Sequence, residues 1–241
     1  MNTKILKKKN CLITGATGGI GEEISKQLAA LSCNLFLTST NKMKLEKLKN
    51  DLRKINTNIK IETFATNLND EEKILEMIKY VRKKFASINI LINCAGIFMI
   101  KSIGKSTTED FDKSINLNVK VPFILSKEFS KDMISKKWGR ILLIGSSSSY
   151  SGFENGSLYC ASKHSVLGLS RALNVELKKK NVRVMCISPS STKTNMGKIS
   201  VDQDFNTFLN PKEVAEYIVF VLSFDNEMII DESRLNRMIM K

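Results

Sequence analysis

Tyr159 and Lys163 stand four residues apart, and Ser146 precedes Tyr159 by thirteen residues. On a helix, residues i and i+4 share one face, about one turn apart. A cation beside a phenol favours the phenolate form and brings a group that ordinarily ionises near ~10 toward working pH. A serine hydroxyl within reach could then steady a substrate oxygen. The three residues together could move a proton onto or off an oxygen. Tyr-x-x-x-Lys alone also describes two polar residues on the surface of any helix, so the pair needs a site elsewhere that holds a reaction partner.

That site lies near the start of the chain. Cys11-Leu12-Ile13-Thr14 reads as a short buried strand, followed by Gly15-Ala16-Thr17-Gly18-Gly19-Ile20-Gly21. Apolar residues then fall at Ile20, Ile24, Leu28 and Leu31, a helical period. Strand, glycine turn and helix open a dinucleotide-binding unit, in which glycines let the backbone approach a pyrophosphate resting on the helix N-terminus. The spacing is Gly15-x-x-x-Gly19-x-Gly21 rather than G-x-G-x-x-G, and a plain tight turn before a helix would also fit it.

Thr14-Gly15-x-x-x-Gly19-x-Gly21, Asn93-Cys94-Ala95-Gly96, Asn116, Ser146, Tyr159 and Lys163 follow one another in an order and at separations that resemble the short-chain dehydrogenase/reductase family. The resemblance covers nearly the whole chain. It implies a Rossmann fold: an α/β, doubly wound parallel sheet of about seven strands with helices on both faces. By the same resemblance, Tyr159 is the acid in reduction and the base in oxidation. Lys163 assists it and bonds the nicotinamide ribose, Ser146 orients the substrate oxygen, and Asn116 holds a water that links Lys163 to solvent at a helix irregularity near Pro122. Ser146 heads the run Ser146–Ser149, and the thirteen-residue separation selects it because the strand before it ends at Gly145.

The elements that must position these residues alternate along all 241 residues, which is the pattern of a parallel sheet with helices on both faces. Strands are expected over 34–38, 61–65, 88–92, 140–145 and 182–187, with a last short one near 228–230 or 234–235. A helix opens at Asn69-Asp70-Glu71-Glu72 with a polar cap and acids in its first turn. Another, over 109–133, carries Asn116. Asn210-Pro211-Lys212-Glu213 is a further helix start. No repeat, linker or second domain interrupts the series, so one domain over 1–241 is expected, with 195–210 as a substrate lid.

The end of the second strand bears on cofactor choice. An acid there bonds a ribose 2′-hydroxyl and repels a 2′-phosphate. This chain has Thr38-Ser39-Thr40-Asn41-Lys42 instead, so NADP(H) is favoured over NAD(H). The resemblance adds Thr17, Gly18, Asn67, Leu68, Asn93, Ala95 and Gly96 to the cofactor side. It also adds Pro189, Ser190, Thr192 and Thr194 near the nicotinamide. The family has glycine where Ser190 stands, and serine there requires a backbone without positive φ.

Composition excludes other classes. Thirty-eight basic residues against 24 acids give a formal charge of +14, but the lysines are scattered over many helices and no basic stripe interleaves with aromatics, so no nucleic-acid partner is expected. No run approaches the ~18 apolar residues of a membrane span, and the basic N-terminus runs straight into the first strand rather than a signal peptide. The five cysteines include no C-x-x-C and suit a reducing cytoplasm; His164 has no ligand-like neighbours, and no metal is expected. The resemblance favours a homotetramer or dimer. It makes 3-oxoacyl thioesters on an acidic carrier protein the leading substrate, with a sugar or small alcohol as the alternative. A third reading is a non-catalytic NADP(H)-binding regulator.

Overall fold

The computed structural model describes residues 3–200 and 202–238. Its strands are β1 (Asn10–Thr14), β2 (Asn34–Ser39), β3 (Ile61–Ala65), β4 (Ile90–Asn93), β5 (Gly139–Ile144), β6 (Val182–Pro189) and β7 (Glu232–Leu235). They form one seven-stranded sheet in the order β3-β2-β1-β4-β5-β6-β7, and every adjacent pair is parallel. The strands read as near-continuous apolar runs because helices cover both faces. Along β1, Cys11 and Ile13 enter the core beneath α1 (Gly19–Ala30), α2 (Lys42–Ile55) and α7 (Pro211–Leu222). Leu12, pointing the other way, joins the core formed with α3 (Glu71–Lys84), α5 (Val121–Ser135) and α6 (Ser157–Leu177). Truncating such a buried leucine to alanine costs about 2–5 kcal/mol. This is the parallel sheet covered on both faces that the alternation predicts, and the Rossmann-type architecture that the resemblance implies.

Strand order reverses between β1 and β4, and the crevice beyond their carboxyl ends is where ligands bind in open α/β sheets. The glycine turn leaves β1 there, and the Asn93–Gly96 turn leaves β4 beside it.

Two elements differ from expectation, and the last strand takes the second of its two expected places. The fourth ladder begins at Ile90 rather than Ile88, because the Ile88 amide is taken by the Asp132 carboxylate. The last strand is Glu232–Leu235, pairing Cys186 with Glu232 through Pro189 with Leu235. The helix expected over 109–133 is broken: α4 (Thr108–Ile115) passes through a π turn at Asn116–Lys120 into α5. Pro122 follows closely on the π turn, where the helical hydrogen-bond register is already interrupted. The start of α7 is as read, with Pro211 at the first turn and the Asn210 side chain accepting from the Lys212 amide at 2.9 Å.

Candidate active site

Thr14, at the end of β1, ties the two crossover turns together. Its Oγ1 accepts hydrogen bonds from the amides of Cys94 (3.1 Å) and Ala95 (3.0 Å). Gly15 follows with φ +64°, and a Cβ on it would lie 2.8 Å from the Ala95 backbone, so both conformation and space require glycine. A Cβ on Gly21 would lie 2.4 Å from the Gly15 carbonyl oxygen; its absence lets α1 close onto the turn. The fingerprint therefore has a steric reason at each end.

The reactive groups arrive from three elements. Ser146 follows β5; its Oγ accepts from the Ser148 amide at 3.1 Å, and its own amide donates to Ser149 Oγ at 3.1 Å. That leaves the Ser146 hydroxyl hydrogen free to donate elsewhere. Tyr159 and Lys163 lie one turn apart on α6, both buried. Lys163 Nζ donates to the Ile144 carbonyl at 2.7 Å and lies 5.7 Å from the centre of the Tyr159 ring. Phe98 meets the Tyr159 ring edge-on, with centroids 4.6 Å apart.

Asn118, not Asn116, stands beside Lys163. A Cβ on Gly96 would lie 3.1 Å from Asn118 Oδ1 and 3.9 Å from Lys163 Nζ, so all three groups share one corner. Asn118 Oδ1 accepts from the Ile97 amide (2.8 Å), while Nδ2 donates to the Ile97 carbonyl (3.0 Å) and to Ser162 Oγ (2.9 Å). Asn116 is half-buried and its side chain makes no hydrogen bond among the described residues. The cause is register. Residues two apart on a helix point to nearly opposite sides, and the π turn rotates the chain further. A signal was present: Asn118 stands three and seven residues before Val121 and Leu125 on the buried stripe of α5, and Asn116 does not.

A single cleft of about 440 Å³ joins the glycine turn to these groups. Of the residues expected from the sequence, Gly15, Gly18, Gly19, Ile20, Gly96, Ser146, Tyr159, Lys163, Pro189, Ser190, Thr192 and Thr194 line it. Thr194 reaches it because Gly19 has no side chain: a Cβ there would lie 2.6 Å from Thr194 Cγ2. Ser190 takes the family's glycine position without positive φ, and its amide donates to the Leu235 carbonyl at 2.8 Å. Cys94 also lines the cleft; burial pushes its thiol up to about 11, against the pull of the Lys163 charge.

Other expected residues stand apart from the cleft. Thr17 and Ala95 belong to the turns and Gly21 to the first turn of α1, and none of the three lines the cleft. Thr40 and Asn67 line a separate hollow at the β3 edge, and Lys42 is exposed at the start of α2. Asn67 Oδ1 is already used by the Asn69 amide at 3.1 Å. The Leu68 side chain lies in the core, so only its backbone could meet a ligand.

Several buried polar atoms lack partners at the carboxyl ends of β2 and β4. They are Thr38 Oγ1, Ser39 Oγ and both side-chain amide atoms of Asn93. An unpaired buried polar group costs about 1–3 kcal/mol, which hydrogen bonds from a hydroxyl-rich ligand would offset. Glycine turn, helix N-terminus and these orphaned groups fit a dinucleotide. Among the described residues, no helix is long and apolar enough to cross a membrane.

The model of the short chain dehydrogenase family matches residues 9–204. The chain belongs to that family and is an oxidoreductase with an NAD(P)-binding Rossmann architecture. It is 31% identical over 237 residues to the 3-oxoacyl-acyl-carrier-protein reductase FabG of Rickettsia bellii, which covers 95% of each chain. Among solved structures, an alcohol dehydrogenase from the archaeon Thermococcus sibiricus, complexed with 5-hydroxy-NADP, superposes with a TM-score of 0.87 at 24% identity, covering 97% of this chain and 98% of that one. An NAD+-bound xylitol dehydrogenase superposes with a TM-score of 0.82 at 23% identity over 96% and 98% of the two chains.

Proposed function

We propose that the protein reduces a ketone to a secondary alcohol with NADPH, using Tyr159 as the acid. The observation that carries this is the continuity of one cleft from Gly15 and Gly19 to Ser146, Tyr159 and Lys163. The glycine turn and the α1 N-terminus would hold the pyrophosphate, the unpartnered groups of Asn93 and Thr38 would suit the adenine-side ribose, and Thr192 and Thr194 would serve the nicotinamide end. A bound nicotinamide supplies the hydride. Ser146 donates its hydroxyl hydrogen to the substrate oxygen and aims it at the Tyr159 hydroxyl. Tyr159 gives its proton to that oxygen as negative charge develops there. Lys163 keeps a positive charge one turn away and stabilises the phenolate left behind. Asn118 fixes the Ile97 backbone and Ser162 around Lys163, the place expected for Asn116.

The absence of an acid from Ser39 to Lys42, with Lys42 opening α2, favours the 2′-phosphate of NADP(H). For substrate, the likeness to the Rickettsia bellii reductase and the charge of +14, suited to an acidic carrier, favour a 3-oxoacyl thioester over a sugar or polyol. The segment 195–210 serves as the lid, with Phe205 and Phe208 packed at 5.2 Å. Exposed Phe111, Phe123 and Val175 on α4, α5 and α6 support a homo-oligomer, dimer or tetramer, and five free thiols suit the cytoplasm. The test is NADPH oxidation with acetoacetyl thioester beside NADP+ reduction with xylitol, in wild type and Tyr159→Phe. Turnover of the thioester that disappears in the variant supports the reading; unchanged turnover in Tyr159→Phe refutes it.

A further inference from the structure

Beyond Tyr159 the cleft changes character. Phe98 lies against the tyrosine ring, and Phe153 follows it with centroids 6.1 Å apart. Phe153 seats over Gly156, where a Cβ would lie 2.5 Å from its ring, so the residue pattern Phe-x-x-Gly holds the ring against α6. Ile100 continues this wall, and Met196 lines the cleft too, from the segment that follows β6. Phe153, Ile100 and Met196 remain 40, 40 and 39% exposed. Apolar surface gathered at the mouth of a cleft, rather than scattered singly, marks a place where something apolar is bound.

The charges point the same way. Apart from Lys163, whose Nζ is held by the Ile144 carbonyl, the acidic or basic side chains lining the cleft are the carboxylates Glu154 and Asp202. An anionic group beside the wall would face these two carboxylates, while Lys163 is turned to the Ile144 carbonyl and Arg237 is held by Gln203 and Thr207. Three of the polar groups around this wall are already engaged within the protein. Gln203 Oε1 accepts from Ser191 Oγ and Arg237 Nη2, each at 2.9 Å. Ser151 Oγ donates to the Ser147 carbonyl at 3.3 Å, and the Asn155 carbonyl accepts from the Lys101 amide at 2.8 Å.

We infer that the substrate carries an uncharged apolar group, aryl or alkyl, directly beside the reacting carbonyl, and that Phe98 and Phe153 select it. This rests on the reading of Tyr159 as the acid, because that residue locates the carbonyl. It separates the two substrate classes left open above: an acyl chain suits the wall, and a sugar or a carboxylated ketone does not.

The experiment measures binding rather than turnover. Acetophenone, 4-acetylbenzoate and xylulose are titrated into NADPH-saturated Tyr159→Phe protein by calorimetry or ligand-observed NMR. The same titrations are run with Phe153→Ala and Phe153→Leu added. Acetophenone is expected to bind at least about tenfold more tightly than either other ketone. An aromatic contact of this kind is worth about tenfold, so Phe153→Ala should weaken acetophenone by that factor, Phe153→Leu by less, and neither should move NADPH affinity. Equal binding of xylulose or 4-acetylbenzoate, or acetophenone binding unchanged in Phe153→Ala, overturns the inference. So does failure of acetophenone to bind at its solubility limit. Should acetophenone bind as expected while wild type turns over no ketone at all, the proposed reaction fails and the apolar subsite stands.

Discussion

Replacing Asn118 by alanine tests the position of the buried asparagine, with Asn116→Ala as its internal control. Asn118 is 2% exposed and makes three side-chain hydrogen bonds: with the Ile97 amide and carbonyl and with Ser162. Each such bond contributes about 1 kcal/mol, and the two backbone groups of Ile97 would be left partly buried without partners, so the loss is about 3 kcal/mol. For a chain of this size, that corresponds to roughly 6–12 °C in Tm. The same change frees the Ile97 backbone and Ser162 beside Lys163, so kcat should fall by at least about tenfold, since ~1.4 kcal/mol of lost transition-state stabilisation suffices. Asn116→Ala removes a half-buried side chain without a hydrogen bond and should stay within ~0.5 kcal/mol of the parent. Thermal melts and steady-state NADPH oxidation on the two variants give the answer. A small effect at Asn118, or an equal loss at Asn116, refutes the assignment.

Two further outcomes follow from the geometry. Gly15→Ala places a Cβ 2.8 Å from the Ala95 backbone at a φ of +64°; the left-handed backbone alone costs about 1–2 kcal/mol, or roughly 2–8 °C in Tm, and NADPH affinity measured by fluorescence should drop as well. Cys160 and Cys94 are both half-buried, but the Cys94 thiol is pushed up to about 11, leaving about one thiolate in a thousand at pH 8; in iodoacetamide labelling followed by peptide mass spectrometry Cys160 should react first, and equal rates contradict that shift.

Strand positions were legible because each strand is a short apolar run between turn residues, and β3 falls where Ile61–Ala65 was read. The Tyr159–Lys163 pair was legible because an unbroken helix obeys its period through both residues. Asn116 was misplaced because two asparagines two apart offer the same chemistry, and only the spacing of Asn118 to the buried stripe of α5 tells them apart. The start of β4 was displaced by a long-range contact, Asp132 taking the Ile88 amide, which no local pattern records. The apolar wall was out of reach for the same reason. Phe98 and Phe153 are 55 residues apart in the chain and meet only because the turn after β4 and the loop before α6 open on the same crevice.

The central claim is that the cleft transfers hydride to a carbonyl carbon under proton donation by Tyr159. NADPH deuterated at the transferring position of C4, incubated with acetoacetyl thioester and wild-type protein, should yield an alcohol with one deuterium on its carbinol carbon by mass spectrometry. Tyr159→Phe, with NADPH affinity retained, should yield none above the uncatalysed background. Deuterated product formed equally by the variant, or no deuterated alcohol from wild type with any carbonyl compound tried, contradicts the account.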